Sequence, residues 1–432
     1  MKIPPVKGTR DFYPQDMAVR NWLIDGWKKV SLRNGFEEYD GPIFEYLKMF
    51  QIKSGDEIAE QLFSLTDRGG RELALRPEIT PTLARMVNQK INSLTKPIKW
   101  FSVPRLFRAE RPQKGRLREF FQWNIDIIGT DDVLADAEVI FATVDYLQEV
   151  GLTQHDVQVK ISSRKLLAAG LKNIGIPEDK LASLYALLDK YDKLARNIFQ
   201  SELSRQVPDS DVAGKILDFM NATAVGEVPD IVGTNAEIEE SIQELARLYQ
   251  LLEQMGVSRY CGLYPSIVRG LAYYTGVVYE VHAVGGELRA IGGGGRYDNL
   301  LADFGGPRIP ATGMGLGDCV LEILLRERGL LEKNIPVPQL ECFVASVDKK
   351  FFEKVIEIAT KLRRRGRSAN FSYKAAGLSK QLKQASAQGA KNCIIIGEEF
   401  KNNQLVVKDM TTGEQKTVDY DKFFEQLETE SK

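Results

Sequence analysis

Cysteine and histidine are scarce in this sequence. Its 432 residues contain four cysteines and two histidines. A structural zinc site needs four ligands of these types at short spacings. Cys261, Cys319, Cys342 and Cys393 are widely spaced, and no Cys-x-x-Cys pair occurs. We therefore expect no metal site built from cysteine and histidine.

Long apolar runs and an excess of one charge are also missing. No stretch approaches the ~20 apolar residues of a membrane span, and Pro4, Pro5 and nearby charges leave no apolar core for a secretory signal. The cytoplasm is therefore the expected compartment. Lysine and arginine total 58 against 59 aspartate and glutamate, so no global basic field holds nucleic acid. Contacts with RNA must come from local patches.

The chain is too long for one ordinary hydrophobic core, so we expect two or three domains. Val19, Leu23, Trp27 and Val30 recur at helical spacing, and the helix they predict ends at residues 34–35. Residues 39–44 predict a strand that contains a proline. Residues 73–75 end a strand, and a helix follows with Thr80 and Pro81 in its first turn.

These patterns divide the chain into segments. Residues 1–165 and 260–328 alternate strands, loops and helices, whereas residues 166–259 show helical periodicity and predict a helical insertion. Residues 329–340 contain two prolines and are typical of a linker. Residues 341–432 resume strands and helices as a separate domain. Its arginine cluster at 363–367 either contacts RNA or is a solvated helix end.

A predicted hairpin carries the densest cationic turn of the N-terminal half. The apolar run at residues 100–103 precedes Arg108, and a second apolar run follows at residues 125–128. The tip, residues 111–119, holds several arginines, the side chain that grips phosphate or carboxylate with two hydrogen bonds. The pattern predicts a strand, a basic loop and a returning strand.

The returning strand predicts a polar pocket wall. Gln122 and Asp126 are four residues apart, so both side chains point to the same face of the strand. A buried carboxylate is costly unless a donor pairs with it. Later in the chain, four consecutive glycines before Arg296 and Tyr297 allow a close approach of the backbone. This glycine run is a weak phosphate signal, because it lacks the lysine and hydroxyl of a P-loop.

Three segments together resemble the histidyl-tRNA synthetase family of class II aminoacyl-tRNA synthetases. They are Lys7-Gly8-Thr9-Arg10-Asp11, Phe107-Arg108-Ala109-Glu110 with the basic loop behind it, and Val268-Arg269-Gly270-Leu271-Ala272-Tyr273-Tyr274-Thr275-Gly276. The resemblance implies an α+β catalytic domain with an antiparallel sheet, formed by residues 1–165 and 260–328. It also implies the helical insertion and a C-terminal α/β anticodon-binding domain.

The resemblance further implies roles for individual residues. Arg108 and Arg269 are the implied catalytic residues, two fixed cations on the α-phosphate where negative charge accumulates during amino-acid activation. The implied histidine contacts are Glu78, Ile79, Thr80, Arg108, Gln122, Asp126, Arg269, Tyr273, Tyr274 and Tyr297. The implied ATP contacts are Arg108, Glu110, Arg116, Arg118, Phe120 and Arg269. An ordinary core role for Tyr273 and Tyr274 is the alternative.

Two positions depart from the family pattern. The third family motif carries an arginine that caps the adenine, and Val320 stands where we expect it. An apolar contact or an arginine from elsewhere must then cover the adenine. Ala272 replaces an acidic residue beside the paired tyrosines. Both departures leave room for a divergent branch or for a paralogue without synthetase activity.

The leading hypothesis is an enzyme that ligates L-histidine to tRNA(His) through a histidyl-adenylate, as a homodimer using ATP and Mg²⁺. The main alternative is a histidine-binding regulatory protein that resembles the regulatory subunit of ATP phosphoribosyltransferase. That paralogue lacks the C-terminal domain that residues 341–432 predict here. A class II synthetase for threonine, proline or glycine is a third possibility, but Gln122, Asp126 and the segment 268–276 argue against it.

Overall fold

The computed structural model describes residues 3–52, 62–191, 193–268, 273–286, 288–335, 340–374 and 376–429. It divides into two compact units, Met1–Ile335 and Pro336–Lys432. In the part of the chain that the structure describes, no helix is both long and apolar enough to cross a membrane.

The first unit is built on a large mixed sheet and a small antiparallel one. In chain order its strands are β1 (Glu37–Glu38), β2 (Phe44–Tyr46), β3 (Ser64–Thr66), β4 (Glu72–Leu75), β5 (Ile98–Ser102), β6 (Arg105–Phe107), β7 (Glu119–Ile128), β8 (Val157–Ser163), β9 (Cys261–Leu263), β10 (Val277–Ala283), β11 (Gly292–Arg296) and β12 (Ala311–Gly317). Within the described residues, nine of them form a sheet of order β1-β5-β7-β12-β11-β10-β8-β9, with β6 also paired to β7. The three strands β2-β4-β3 form the small sheet.

The α-helices of the first unit follow the same chain order. They are α1 (Pro14–Arg33), α2 (Leu47–Gln51), α3 (Thr80–Lys90), α4 (Leu134–Glu149), α5 (Arg164–Asn173), α6 (Glu178–Leu188), α7 (Arg196–Gln206), α8 (Ser210–Asn221), α9 (Val228–Val232), α10 (Ala236–Gln254), α11 (Leu300–Asp303), α12 (Asp318–Glu327) and α13 (Leu330–Asn334). Helices α5 to α10 occupy most of the stretch that the sequence predicts to be a helical insertion.

The main core lies between the large sheet and helices α1 and α4. Trp27 of α1 stacks on Trp123 of β7, with ring centroids 6.5 Å apart, and Tyr146 of α4 meets Trp123 edge-on at 5.4 Å. The indole N–H of Trp123 donates to Ser31 Oγ at 2.8 Å, so the buried polar group is satisfied. This packing covers one face of β7 and leaves its other face for the pocket described below.

Glycines lie close to their neighbours in β11 and β12, the two strands that continue the large sheet beyond β7. A Cβ atom added at Gly294 would lie 2.1 Å from the carbonyl oxygen of Gly313, and one added at Gly295 would lie 2.9 Å from the ring of Tyr274. Neither position has room for a side chain. The four-glycine run is therefore a central strand, paired with β10 and β12, rather than a phosphate loop.

The second unit contains one sheet in the described residues, of order β14-β13-β15-β16-β17. Its elements are β13 (Cys342–Ser346), α14 (Phe352–Arg364), β14 (Ala369–Phe371), α15 (Leu378–Ala387), β15 (Asn392–Ile396), β16 (Gln404–Asp409), β17 (Gln415–Asp419) and α16 (Tyr420–Thr429). Strand β13 runs parallel to its two neighbours, and the remaining pairs are antiparallel. This unit matches the α/β fold expected for residues 341–432.

Two local predictions differ from the structure. Residues 39–43 are not a strand: β1 ends at Glu38 and β2 begins at Phe44. Pro42 has no N–H to donate to a sheet, and its neighbours follow an extended path between the two sheets. The predicted linker at 329–340 contains the short helix α13, whose Leu331 is buried in the main core.

Candidate active site

Alternation along β7 gives the pocket its polar wall. Phe121, Trp123 and Ile125 point into the main core. Their neighbours Gln122 and Asp126 point to the opposite face, where added side chains at Gly315 and Gly313 of β12 would collide with them. The predicted pair therefore lies on one face, as its spacing requires.

Arg108 lies beside this wall, just after β6. Its Nε donates to the carbonyl oxygen of Pro77 at 3.2 Å, and its guanidinium lies 5.1 Å from the ring centroid of Phe120. Burial lowers the pKa of Arg108, while the carboxylates of Glu78 and Glu110 raise it. An arginine remains charged under such a shift, so the pocket holds a fixed cation.

Glu78 supplies a buried negative charge on the loop before α3. The hydroxyl of Tyr273 donates to Glu78 Oε2 at 3.3 Å. Burial raises the pKa of Glu78, and the nearby Arg108 and the hydroxyl of Tyr273 lower it. The carboxylate can accept further hydrogen bonds from a cationic ligand.

Asp126 is a second buried carboxyl group, 3% exposed. The hydroxyl of Tyr297 donates to its Oδ1, whereas Oδ2 has no hydrogen-bond partner among the described residues. Burial raises the pKa of Asp126 to about 7, and the bond from Tyr297 opposes the rise. Since the group is costly to ionise in the empty protein, a ligand N–H donor would stabilise its charged form.

Aromatic rings enclose the two carboxyl groups. The ring centroids of Tyr273 and Tyr274 are 4.9 Å apart, and those of Tyr273 and Tyr297 are 5.9 Å apart. The ring centroids of Tyr39 and Trp100 are 5.6 Å apart. These tyrosines are buried and belong to the core of this region. They therefore pack around the two carboxyl groups.

The floor of the pocket is backbone. A Cβ added at Gly313 would lie 2.1 Å from Asp126 Oδ1, and one added at Gly315 would lie 2.8 Å from the side-chain amide of Gln122. Because both positions must be glycine for Asp126 and Gln122 to keep their places, β12 contributes space rather than side chains.

The hairpin tip places more charge at the pocket edge. Arg116 forms an ion pair with Glu110, whose Oε1 is buried and without a hydrogen-bond partner among the described residues. Arg118 is engaged differently: its Nε donates to the carbonyl of Glu110 at 3.0 Å and its Nη1 to the carbonyl of Lys7 at 3.4 Å. Arg118 thus fixes the N-terminal segment against the hairpin.

The position expected to carry an arginine is buried here. Val320 lies in the main core. Its side chain is close to Gly115, since a Cβ atom added at Gly115 would lie 2.9 Å from it. An arginine does reach the start of α12, because Arg10 pairs with Asp318 at 2.5 Å. Asp318 also accepts the backbone N–H of Phe121 at 3.0 Å. The sequence alone does not indicate this pairing.

The structure describes the positions of some of the other expected site residues and not of others. Arg269 and Ala272 lie outside the described residues. Ile79 is fully buried in the core. Thr80 is the first residue of α3 and is partly exposed. The structure brings Glu78, Arg108, Gln122, Asp126 and the tyrosines to one region.

Sequence reasoning missed Tyr39 as a pocket residue. It follows a strand of only two residues, so no alternation shows which way its side chain points. A weak signal exists in Trp100, which pairs with Asp126 across β5 and β7 and whose ring lies against Tyr39. That signal becomes readable only when the register of the sheet is known.

The pocket therefore combines one fixed cation with two buried carboxyl groups, glycine-made space and aromatic walls. Such a site suits a small ligand that carries both charges and a ring with a hydrogen-bond donor. Positioning and electrostatic stabilisation are the chemistry that these groups can supply.

Comparisons with known proteins show the family to which the chain is similar. A family model described as histidyl-tRNA synthetase matches residues 8–317, and one described as an anticodon binding domain matches residues 341–430. The chloroplastic/mitochondrial histidine--tRNA ligase of Arabidopsis thaliana is 40% identical over 96% of this chain and 84% of the relative. The histidine--tRNA ligase of Opitutus terrae is 36% identical over 94% and 93%. A crystal structure of histidyl-tRNA synthetase from a Nostoc species has the same fold, with a TM-score of 0.83, 24% identity and full coverage of both chains.

Proposed function

Because the chain belongs to the histidyl-tRNA synthetase family, we propose that the pocket around Arg108 and Asp126 is where it activates histidine. The activity is the ATP-dependent ligation of L-histidine to tRNA(His). The first half-reaction joins the histidine carboxylate to the α-phosphorus of ATP and releases pyrophosphate. The second transfers the histidyl group to the tRNA and releases AMP.

The charges of the pocket match the charges of histidine. The α-ammonium group binds Glu78, assisted by Gln122 and Thr80. The imidazole N–H donates to Asp126. Tyr273 and Tyr274 close the opposite wall of the subsite and supply a hydroxyl for the ring. The observation that carries this assignment is a buried carboxyl oxygen, Asp126 Oδ2, that lacks a partner among the described residues.

Arg108 acts where the two anionic reactants meet. Its guanidinium binds the histidine carboxylate and an α-phosphate oxygen together, so it lowers their repulsion and stabilises the charge of the transition state. Arg269 is the second cation on that phosphate. Adenine stacks on the ring of Phe120, and Arg116 and Arg118 lie towards the outer phosphates. No side chain needs to act as a nucleophile or proton carrier.

One carboxylate of this site, that of Glu110, is a suitable ligand for Mg²⁺. Oxygen ligands from one or two carboxylates, together with substrate phosphates, are the set that Mg²⁺ prefers. Glu110 leaves Oε1 without a hydrogen-bond partner in the described part of the chain, and Arg116 already pairs with its other oxygen. Glu110 would hold the ion, which would neutralise charge on the ATP phosphates.

The remaining parts of the proposal concern partners and location. Residues 341–430 bind the anticodon region of the tRNA. Two copies of the chain associate through the small β2-β4-β3 sheet, whose exposed Phe44, Tyr46 and Leu65 are apolar side chains without cover in the described residues. The enzyme works in the cytoplasm. Sedimentation of the wild-type chain and of Phe44→Glu would show a dimer and its loss.

Histidine-dependent exchange of pyrophosphate into ATP, measured on the full chain with a panel of amino acids, tests the first half-reaction. A tRNA-charging assay run in parallel tests the second. We expect exchange with histidine alone, together with charging. If histidine binds without exchange, the regulatory alternative replaces this proposal.

Arg269→Ala should abolish exchange and leave the fold intact. Arg259→Ala is the matched control, because Arg259 is an exposed arginine of the same unit. Near-normal exchange by Arg269→Ala would remove the role assigned to Arg269.

A further inference from the structure

Two segments of the first unit meet at the start of α12. The backbone N–H of Phe121, in β7, donates to Asp318 Oδ1 at 3.0 Å. The N–H of Gly317 donates to the carbonyl oxygen of Ile291, just before β11, at 3.1 Å. The start of β7, where adenine is proposed to stack on Phe120, and the segment before β11 therefore lie at the same end of the sheet, on either side of β12.

The hairpin tip comes to the same place. Gln113 and Arg116 exchange backbone hydrogen bonds of 2.9 Å, so the tip is a tight turn. Gly115 in that turn lies against α12, since a Cβ atom added there would be 2.9 Å from Val320 Cγ2. Val320 is apolar and only 7% exposed. It therefore offers neither a cation nor a flat surface to a nucleotide base.

Arg289 is an exposed arginine in the segment before β11. Its Nη2 donates to Oε1 of Gln113 at 2.8 Å, so its guanidinium lies at the hairpin tip. Leu288 and Ile291 pack against the main core on either side of it and hold its backbone in place. Within the residues that the structure describes, Arg289 forms no ion pair. Its charge is therefore available to a ligand.

Two other arginines near this place are already paired with carboxylates. Arg10 pairs with Asp318 at 2.5 Å, and Arg116 pairs with Glu110. Arg289, in contrast, donates to a neutral side-chain amide at the surface. A hydrogen bond of this kind contributes little net free energy, because water can replace either partner. A ligand that binds the guanidinium more strongly can therefore displace it.

Adenine has two flat faces, and the function assigned above supplies a partner for one of them, the ring of Phe120. The outer phosphates already have Arg116 and Arg118 in the same assignment. The second face of the base has no partner there, because Val320 is buried under the hairpin tip. A guanidinium suits that face, since it is planar, always charged and stacks on aromatic rings.

We propose that Arg289 is an ATP-binding residue, whose guanidinium stacks on the face of adenine opposite Phe120 and supplies the cover that Val320 does not. This assignment rests on the function proposed above. In the free protein Gln113 holds the guanidinium at the tip, and on ATP binding the stacking contact replaces that hydrogen bond.

The first test compares Arg289→Ala with wild type in histidine-dependent exchange, with ATP, histidine and pyrophosphate varied in turn. We expect the KM for ATP to rise about 5- to 50-fold, because a stacking contact with the base is lost. The KM values for histidine and pyrophosphate should change less than about 3-fold, since neither substrate carries adenine. Arg259→Ala, at an exposed arginine of the same unit, is the control and should match wild type.

Two kinetic outcomes contradict the contact with adenine. An unchanged KM for ATP in Arg289→Ala would show that the side chain does not bind the nucleotide. A rise in the KM for pyrophosphate as large as that for ATP would place Arg289 on the phosphates, and the stacking assignment would fail.

Calorimetric titration of ATP without histidine gives a readout that needs no catalysis. The Kd for ATP should rise in Arg289→Ala. Arg289→Lys keeps the charge and loses the planar group, so it should recover little of the lost affinity. Full recovery of ATP affinity by lysine would show that charge alone is enough and would overturn the stacking contact.

Gln113→Ala separates a contact with ATP from a restraint on the hairpin tip. It breaks the same hydrogen bond as Arg289→Ala but leaves the guanidinium in the protein. Its KM for ATP should stay within about 3-fold of wild type. An equal rise in both variants would mean that Arg289 acts by holding the tip, which overturns the direct contact.

Stability checks for a structural role of Arg289. Because Arg289 and Gln113 are exposed, both alanine variants should keep the melting temperature of wild type. A clearly lower melting temperature in Arg289→Ala would show that the side chain supports the fold, and the proposal would fail.

Failure of the assigned function looks different, because it appears in the wild-type protein. Wild type that binds no ATP in the calorimeter would remove both the assigned function and the role of Arg289. Wild type that binds ATP and performs no exchange would remove the assigned function alone, and the calorimetric comparison with Arg289→Ala and Arg289→Lys would still decide the contact.

Discussion

Two buried aspartates on the same unit have opposite surroundings. Asp136 of α4 accepts from Nε of Arg296 at 3.0 Å and also from its Nη2. Arg296 completes its bonds with the carbonyl oxygens of Thr130 and Asp132, each at 3.1 Å. Asp126 has no cation among its described partners: its bond comes from the neutral hydroxyl of Tyr297. One carboxylate is neutralised by the protein, and the other is not.

The difference separates a structural charge from a functional one. Asp136 also has a buried oxygen, Oδ1, without a hydrogen-bond partner among the described residues, so what distinguishes it from Asp126 is its cation. A buried ion pair is costly to break, because either partner alone would be an unpaired buried charge. A buried carboxyl group without a cation is costly to ionise, and the function proposed for Asp126 is that a ligand N–H completes it. Breaking each arrangement should therefore affect different properties.

The largest effect is expected from Arg296→Met. This substitution leaves the buried Asp136 without its cation and should lower the free energy of unfolding of the first unit by about 3–5 kcal/mol. All four tryptophans, Trp22, Trp27, Trp100 and Trp123, lie in this unit, so tryptophan fluorescence during urea unfolding reports on it alone. Arg259→Met, at an exposed arginine, should change stability by less than about 0.5 kcal/mol. Equal midpoints for the two variants would contradict the ion-pair account.

Asp126→Asn should show the reverse pattern. Its stability should equal or exceed that of wild type, because a buried carboxyl group without a cation is replaced by a neutral amide. The kcat/KM for histidine should fall roughly 10- to 100-fold, which corresponds to a lost hydrogen bond of about 1.5–3 kcal/mol to a charged group. Urea unfolding and exchange kinetics measure the two quantities. A marked loss of stability would place Asp126 with Asp136 as a structural residue.

The comparison becomes sharper when pH is varied. The folded pKa of Asp126 is about 7, above its ordinary 3.8. Between these values the folded protein keeps a proton that the unfolded chain has lost, so this contribution to stability is complete below pH 4 and is lost as pH rises to 7. The slope is at most about 1.4 kcal/mol per pH unit. We would measure the free energy of unfolding against pH for wild type and for Asp126→Asn, and the difference between the two curves isolates the contribution of Asp126. Parallel curves would show that Asp126 is ionised in the empty protein.

The smallest effect is expected from Tyr297→Phe. Removing the donor to Asp126 Oδ1 should raise the pKa of Asp126 further, because that bond favours the charged form. The free energy of histidine binding should weaken by about 1 kcal/mol. Histidine affinity rises with pH as Asp126 ionises, and in Tyr297→Phe this rise should occur at higher pH. Titrations between pH 6 and 8.5 measure this. A shift to lower pH would mean that Tyr297 stabilises the protonated acid instead.

Much of the fold follows from sequence patterns. The hairpin from Trp100 to Ile128 follows from two apolar runs around a basic loop, and the helix that begins at Thr80 follows from Pro81 in its first turn. The shared face of Gln122 and Asp126 follows from strand alternation alone. The carboxylate that Arg296 pairs with lies 160 residues away, and no local pattern indicates it. The prediction of a strand at residues 39–44 was wrong for residues 39–43, where Pro42 has no N–H to donate to a sheet.

The candidate site was predictable to the extent that single elements carry it. Arg108, Gln122 and Asp126 lie on one hairpin, so spacing brings them together. Tyr39 comes from another part of the chain, and only the pairing of β1 with β5 brings it to Asp126. The sequence does not show which of Phe120 and Phe121 faces the pocket. The register of the sheet decides it, because Phe121 lies in the main core.

The glycine floor limits the direction in which this enzyme can evolve new specificity. Gly313 and Gly315 already have the smallest side chain, so any coding change at these positions adds atoms beside Asp126 and Gln122. Random mutation there can shrink the proposed amino-acid subsite and cannot enlarge it. Engineering the protein to charge tRNA with a bulkier amino acid must therefore trim the tyrosine walls, and libraries directed at the floor should return only inactive or narrower variants.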